Sequence, residues 1–418
     1  MLQAVFVNGR PLYDALESSL SKSKLAPRDL AFARAIVMTS LRRLGQIDEV
    51  ISRFLREPLP TRAGPAEMIL RLVTAELLFL EVAPHAAVSS AVELADRDKD
   101  ARHFKGLINA VARRIAAEGK TTLATIDAEK ANTPVWAWEA WTRAYGEETA
   151  RGIAKAHGTE PPLDITVKED PAAWAPKLEA TLLPTGTLRR QPGGRIEDLP
   201  GYAEGAWWVQ DAAASIPVRL LGNVKGKSVI DLCAAPGGKT AQLANLGANV
   251  TAVDLGFDRM KRVMANLARL NLQAEVEVAD ALDWRPKTLA DAVLLDAPCT
   301  ATGTVRRHPD VLWRKGVSDV LAQADLQARL LNAAAEMLKP GGTLVYCVCS
   351  LAREEGEDVV GNFLAVHHAF ERVPVSSADV DGEAQFVTAL GDFRTLPSHW
   401  PDRGGLDGFY ACRLRRTR

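Results

Sequence analysis

All five cysteines of this 418-residue chain lie in its second half, at positions 233, 299, 347, 349 and 412. Two strings containing them carry the plainest chemical signal: Asp296-Ala297-Pro298-Cys299 and Tyr346-Cys347-Val348-Cys349-Ser350. A thiolate is a strong nucleophile when its site lowers the cost of ionisation. Added to carbon 6 of a cytosine, it makes carbon 5 enamine-like and able to attack an electrophilic methyl group. A base then removes the carbon 5 proton and the thiol leaves. A lone cysteine is more often a small buried hydrophobe, but two cysteine strings, each closing an apolar run, fit that reading poorly. Cys347 and Cys349 alternate with Val348, so both face one side if the strand is regular, and spacing leaves either as the nucleophile. No cluster of histidines completes a metal site, and no metal is expected. An odd number of cysteines at irregular spacing is a poor disulfide framework and suits a reducing compartment.

A second chemical string is Cys233-Ala234-Ala235-Pro236-Gly237-Gly238-Lys239-Thr240. It joins an apolar strand to a helix, so small residues and free N–H groups meet a helix N-terminus that favours a carboxylate. A phosphate loop would need glycine five residues before Gly238, where Cys233 stands, and the dinucleotide pattern G-x-G-x-x-G is missing. Asp254 closes the next strand, where a carboxylate can accept both ribose hydroxyls. Asp280 closes the third, within reach of an adenine amino group, and Asp296 closes the fourth. Singly, each is more often a turn or cap residue. In register they describe a nucleoside with a charged amino-acid tail, S-adenosylmethionine. An Asp-Pro-Pro-Tyr-like string at the fourth strand would suggest amino-group methylation, but Cys299 stands there instead.

The elements that must hold these residues alternate. Strands are expected at 228–232, 249–253, 274–278, 292–295 and 343–348, with helices from Thr240, over 257–270 and over 318–338. This is the pattern of a doubly wound, mostly parallel sheet, in which ligands bind beyond the carboxyl ends of the strands. Upstream, apolar residues recur at helical spacing over 26–44, 47–55, 68–80, 89–95 and 104–117, which predicts an all-helical domain. Periodicity fades over 121–134. A Trp-rich helical stretch follows at 135–156, then an alternating strand at 163–167 within a small α+β module. The expected domains are 1–122, 130–222 and 223–418.

Composition is ordinary for a soluble globular protein, at 47% hydrophobic and 25% charged residues. With 51 basic against 52 acidic side chains, no global basic field points to nucleic acid. The Arg-rich stretches at 189–190, 306–307 and 413–418 permit a local RNA contact without requiring one. No signal peptide or membrane span is expected, so the cytoplasm is the expected compartment. Nothing requires more than a monomer.

The residues from about Val209 onward resemble the Nol/Nop/Sun family of RNA cytosine-5 methyltransferases. The resemblance rests on Val209-Gln210-Asp211, the Ala-Ala-Pro-Gly-Gly-Lys-Thr loop, Asp-Ala-Pro-Cys, Arg306-Arg307-His308-Pro309-Asp310, Cys349-Ser350 and Asp407-Gly408-Phe409-Tyr410. It implies a Rossmann-like methyltransferase domain, with Cys349 as the nucleophile, Cys299 assisting release, and Asp296 contacting the cytosine beside the cofactor. Cofactor contacts are implied for Cys233 through Lys239, Asp254 and Asp280. The family commonly has serine where this chain has Cys347. The first ~120 residues resemble the NusB fold, an all-helical unit that binds RNA and protein, through Ile69-Leu70-Arg71-Leu72, 76–80, 91–95 and 104–111. That order of domains implies small-subunit rRNA as substrate. A catalytically idle binding module would not need the intact loop, the three aspartates and both cysteine strings. Methylation of a protein or small molecule would not need paired cysteines, because those acceptors require no covalent activation.

Overall fold

The computed structural model describes residues 1–20 and 23–418. The chain divides into two compact units: Met1–Thr159 with Val305–Gly316, and Glu160–Thr304 with Val317–Arg418. The expected segment 130–222 is therefore divided at 159/160.

The first unit is helical. Pro27 and Pro84 each occupy the first turn of a helix, Pro27–Arg42 and Pro84–Arg97. There the missing N–H costs nothing and the fixed φ is already helical. Pro84 opens its helix but does not end the preceding one, Ala66–Leu78, which stops six residues earlier, ahead of Glu81 with a left-handed φ of 52°. The Trp-rich stretch is two helices, Val135–Tyr145 and Glu147–His157, split at Gly146 with φ of 84°. The core is aliphatic, centred on Ile47, Val50, Leu70, Val73, Ile108, Val111 and Ile115. Gly45 is fixed by contact, since a Cβ there would lie 1.6 Å from the Ala131 carbonyl oxygen.

The segment Val305–Gly316 belongs to this helical unit although its neighbours in sequence do not. Asp310 Oδ2 accepts the Leu12 backbone N–H at 3.1 Å and an Arg314 N–H at 3.0 Å. Trp313 Nε1 donates to the Leu41 carbonyl at 3.2 Å, and Arg42 donates to the Arg306 carbonyl at 2.9 Å. Arg306 is fully buried. The basic pair at 306–307 is thus in part internal structure.

The second unit carries both sheets. The small one comprises β1 (Leu163–Val167), β2 (Thr181–Leu182), β3 (Leu188–Arg190) and β4 (Trp207–Val209), in the order β2-β3-β1-β4 and antiparallel throughout. Asp164 on β1 forms a buried bidentate pair with Arg189 on β3, both contacts at 2.7 Å. The Arg189–Arg190 stretch is therefore also partly structural. The large sheet comprises β5 (Ser228–Leu232), β6 (Asn249–Asp254), β7 (Glu275–Val278), β8 (Ala290–Asp296), β9 (Leu338–Val348), β10 (Phe370–Arg372), β11 (Phe393–Thr395) and β12 (Phe409–Arg416). Its order is β10-β12-β9-β8-β5-β6-β7, with β11 on β12. Strands β5 to β9 are parallel, while β10, β11 and β12 pair antiparallel. The chain runs β5, β6, β7 outward, then returns to place β8 on the other side of β5. In sheets of this order ligands bind at that reversal, outside the carboxyl ends of the strands, here β5 and β8. Among the described residues no helix is long and apolar enough to cross a membrane.

Candidate active site

β5 delivers Asp231 and the loop from Cys233, and β6 delivers Asp254. β8 delivers Asp296 and Cys299, and β9 delivers Cys347 and Cys349. All stand at the same edge because parallel strands end together.

The cofactor loop is preorganised by the strand beside it. Asp254 is buried; its Oδ2 accepts the Ala235 N–H at 3.2 Å and its Oδ1 accepts the Gly256 N–H at 2.9 Å. Cys233 takes a left-handed φ of 60°, and Gly237 at 99° caps the helix Gly238–Asn245. The first N–H groups of that helix have no intrahelical partner. Burial, with Asp254 next, pushes the Cys233 thiol up to about 12, so it stays protonated. Asp280 is partly buried, and its Oδ1 accepts the Leu282 N–H at 2.9 Å.

Asp231 was not singled out in the sequence, because its partner is found only on folding. Its Oδ2 accepts the Thr240 hydroxyl at 2.6 Å, and the side chain is fully buried. Oδ1 has no hydrogen-bond partner. Burial pushes this carboxyl up to about 7. An unmatched buried carboxyl oxygen is costly, and here it sits at the strand end that opens the cofactor loop. A donor group such as an ammonium would satisfy it. With the loop N–H groups available for a carboxylate, the residues present fit an amino-acid moiety.

Lys239 Nζ donates to Asp296 Oδ2 at 2.7 Å and lies 4.9 Å from the centre of the Phe409 ring. Burial alone would lower its pKa, but Asp296 outweighs that and raises it, so the ammonium is held. The other oxygen, Asp296 Oδ1, faces Cys347 Sγ at 3.4 Å. Cys347 is fully buried, and burial with Asp296 beside it holds its thiol well above the usual range. Cys349 lies beyond the end of β9, in a bend, and is partly exposed. The regularity that would give both cysteines one face therefore ends at Val348. Cys349 Sγ meets Cys299 Sγ at 3.4 Å. This thiol contact, and then burial, hold Cys299 well above the usual thiol range.

The two cysteine loops share a tie that the sequence did not reveal. Glu355 is fully buried in a short 3-10 turn, Arg353–Glu355. Its Oε1 accepts the Thr300 N–H at 2.8 Å and Gln327 Nε2 at 3.0 Å. Its Oε2 accepts the Ser350 hydroxyl at 2.5 Å and the Thr300 hydroxyl. The backbones also meet: Gly303 N–H donates to the Cys349 carbonyl at 2.9 Å, and Gly408 N–H donates to the Gly303 carbonyl at 2.8 Å. A Cβ on Gly303 would lie 2.0 Å from the Gly408 oxygen, so the close approach requires glycine. Among the described residues no group of three or more His, Cys, Asp or Glu is placed to hold a metal, and all five thiols are free.

Residues 218–415 match the family described as 16S rRNA methyltransferase RsmB/F, and residues 1–117 match the NusB family. Ribosomal RNA small subunit methyltransferase B of Klebsiella pneumoniae (strain 342) is 33% identical over 100% of this chain and 96% of its own length. The chain belongs to the RsmB/F family of 16S rRNA methyltransferases. A second relative of the same description, from Klebsiella pneumoniae subsp. pneumoniae, is 35% identical over 95% of this chain and 92% of its own. Among solved structures, PH0851 superposes with a TM-score of 0.77 at 24% identity, covering 97% of this chain and 93% of that one. NSun6 from Pyrococcus horikoshii gives 0.57 at 20% identity, covering 68% and 98%, and shares the fold. Membership makes this RsmB/F protein an S-adenosylmethionine-dependent rRNA methyltransferase with a NusB domain ahead of its Rossmann-like domain.

Proposed function

We propose that this enzyme methylates carbon 5 of a cytosine in small-subunit rRNA, with Cys349 as nucleophile and Cys299 acting in release. The observation that carries the reading is the 3.4 Å contact between the two sulfurs at the ends of neighbouring strands. Methylation of a nitrogen or oxygen acceptor has no use for such a pair. Carbon 5 of cytosine does, because it must first be activated and then freed.

Cys349 supplies the electron pair that forms the sulfur–carbon 6 bond. Its partial exposure leaves it open to a base, whereas Cys347 is fully buried and faces Asp296. Cys299, held as the thiol, offers a proton donor beside Cys349. A solvent water then takes the carbon 5 proton, its bonding pair restores the carbon 5–carbon 6 double bond as the sulfur–carbon 6 bond breaks, and the departing Cys349 sulfur takes the Cys299 proton, which solvent replaces. Asp296, held in place by the Lys239 ammonium at 2.7 Å, is the polar group for the cytosine edge. Bound S-adenosylmethionine supplies the electrophilic methyl group. Residues Cys233 to Lys239, Asp254 and Asp280 are the proposed cofactor contacts, with Asp231 added to them. The NusB-like helices are the proposed RNA-docking unit. The cytoplasm, where thiols stay reduced, is the proposed compartment.

The test is transfer of labelled methyl from S-adenosylmethionine to small-subunit rRNA that lacks the modification, followed by nucleoside analysis. Labelled 5-methylcytidine is the expected product. Label on any other nucleoside overturns the two-thiol reading.

A further inference from the structure

Two loops that start from different strands bring their sulfurs into contact; they are tied directly where Gly303 N–H meets the Cys349 carbonyl and Leu351 N–H meets Thr302 Oγ1, both at 2.9 Å, and a buried carboxylate joins the residues beside the two cysteines. The Cys299 loop leaves β8 through Pro298 and passes Ala301 with a left-handed φ of 59°. The Cys349 loop leaves β9 in a bend. The residue after each cysteine, Thr300 and Ser350, points a hydroxyl at one carboxylate, Glu355. Gln327, which donates to Glu355 at 3.0 Å, also donates to the Pro298 carbonyl at 2.8 Å, the residue before Cys299. Tyr346 on β9 donates to the Glu355 carbonyl at 2.5 Å. Four donors converge on the two carboxyl oxygens, so this fully buried group leaves no oxygen unmatched.

We propose that Glu355 is the positioning residue for the thiol pair: accepting from Thr300 and Ser350 together, it sets the distance between Cys299 and Cys349. It touches neither sulfur, so its effect is carried by the two loops. The inference rests on the reading that both thiols act, but the thiol spacing itself is measurable without any methyl transfer.

A thiol-specific azo oxidant such as diamide joins two neighbouring thiols. Each sulfur gives up its proton and one electron, the sulfur–sulfur bond forms, and the N=N bond takes up both to become a hydrazine. The rate of the Cys299–Cys349 disulfide, read by peptide mass spectrometry on the full-length protein, therefore reports thiol proximity. Shortening the side chain by one carbon in Glu355→Asp breaks the reach to one loop. It should slow that disulfide by about tenfold or more, because misplacement near 1 Å costs rate on the order of 100-fold. Glu355→Gln should restore most of the rate, since both hydroxyls can turn to accept from the amide nitrogen while its oxygen keeps the Thr300 and Gln327 donors. With RNA, Glu355→Asp should also lower kcat and accumulate a denaturant-resistant protein–RNA adduct, with KM for S-adenosylmethionine changed less than about twofold. A Glu355→Asp protein that folds and oxidises as fast as wild type overturns the proposal. So does a Glu355→Gln protein as slow as Glu355→Asp. Normal spacing effects with no labelled 5-methylcytidine would sink the functional reading and leave this one standing.

Discussion

The core of the helical unit and the strand ends of the catalytic unit differ in how densely they bury polar groups. In the helices, two buried hydroxyls close on backbone one turn away: Ser40 on the Ile36 carbonyl at 2.8 Å, Thr74 on the Leu70 carbonyl at 2.7 Å. Gln46 and Asn132 exchange two hydrogen bonds and satisfy each other. At the strand ends of the catalytic unit, buried carboxylates, thiols and an ammonium from four strands and their loops depend on one another. One carboxylate oxygen there, on Asp231, stays unmatched. Polar groups that satisfy local backbone serve the fold. An open atom is not enough to mark a ligand site, since both ring nitrogens of the buried His157 also lack a hydrogen-bond partner; at the strand ends it is the convergence of groups from several strands that does.

Cys349→Ala should reduce methyl transfer by at least about 1,000-fold, as expected for loss of a covalent nucleophile, while the melting temperature stays near wild type. Retained activity would move the nucleophile to Cys347. Cys299→Ala should leave enzyme trapped on RNA as an adduct that survives denaturing electrophoresis, because addition proceeds and release is impaired. An rRNA substrate that leaves no adduct with this variant removes Cys299 from the release step.

Two buried titratable groups, one in each unit, should respond to pH with opposite sign. Asp231 is raised from 3.8 to about 7, so its folded form holds the proton more tightly. Its contribution is present in full below about pH 4 and is lost as pH rises through 7. His157 is lowered from 6.5 to about 3 by burial and then by Arg306. Its contribution is present above pH 6.5 and is lost as pH falls toward 3. Each amounts to a few kcal/mol at ~1.4 kcal/mol per pH unit. Hydrogen exchange of each unit across pH 4–8 should show the two slopes. Asp231→Asn should flatten one and His157→Phe, which keeps the edge contact to Trp141, the other. Parallel slopes would contradict both assignments.

A smaller effect distinguishes packing from chemistry. Ile108→Ala, at a fully buried helical position, should cost roughly 2–4 kcal/mol in unfolding free energy while turnover per folded molecule changes little. A loss of turnover greater than the loss of folded protein would mean that the helical core shapes the catalytic site. Smallest of all, Arg53→Ala removes an exposed ion pair with Glu49 and should shift stability by less than about 0.5 kcal/mol.

The parallel strands were legible because most are apolar runs that end at a polar or cysteine residue, Asp254 on β6 and Asp296 on β8 among them. β1 and β5 fall where the sequence put them, at Leu163–Val167 and Ser228–Leu232, and β6 and β7 differ by a residue. The last strand was not legible. Phe409–Arg416 is antiparallel and pairs with β9, β10 and β11, yet its Arg-rich end reads locally as a basic tail. Helices Leu2–Phe6 and Leu12–Leu20 also escaped: one is too short to show a period, and the other has its N-terminal Leu12 N–H matched by Asp310, 298 residues away. The site followed the same rule. Residues in contiguous strings, Cys233 to Lys239 and Asp296 to Cys299, announced themselves. Asp231 and Glu355 did not, because what distinguishes them is a partner, or a missing partner, created by folding.

The helical unit includes Val305–Gly316, so it is not encoded by one uninterrupted stretch of sequence. A boundary drawn after residue 159 would deprive helix Leu12–Leu20 of its Asp310 acceptor and leave Arg306, fully buried in the whole chain, without the helices that surround it. As a unit of inheritance, the helical part of this enzyme is therefore not a detachable cassette. Recombination could exchange it intact only by carrying along twelve residues embedded in the gene for its catalytic neighbour.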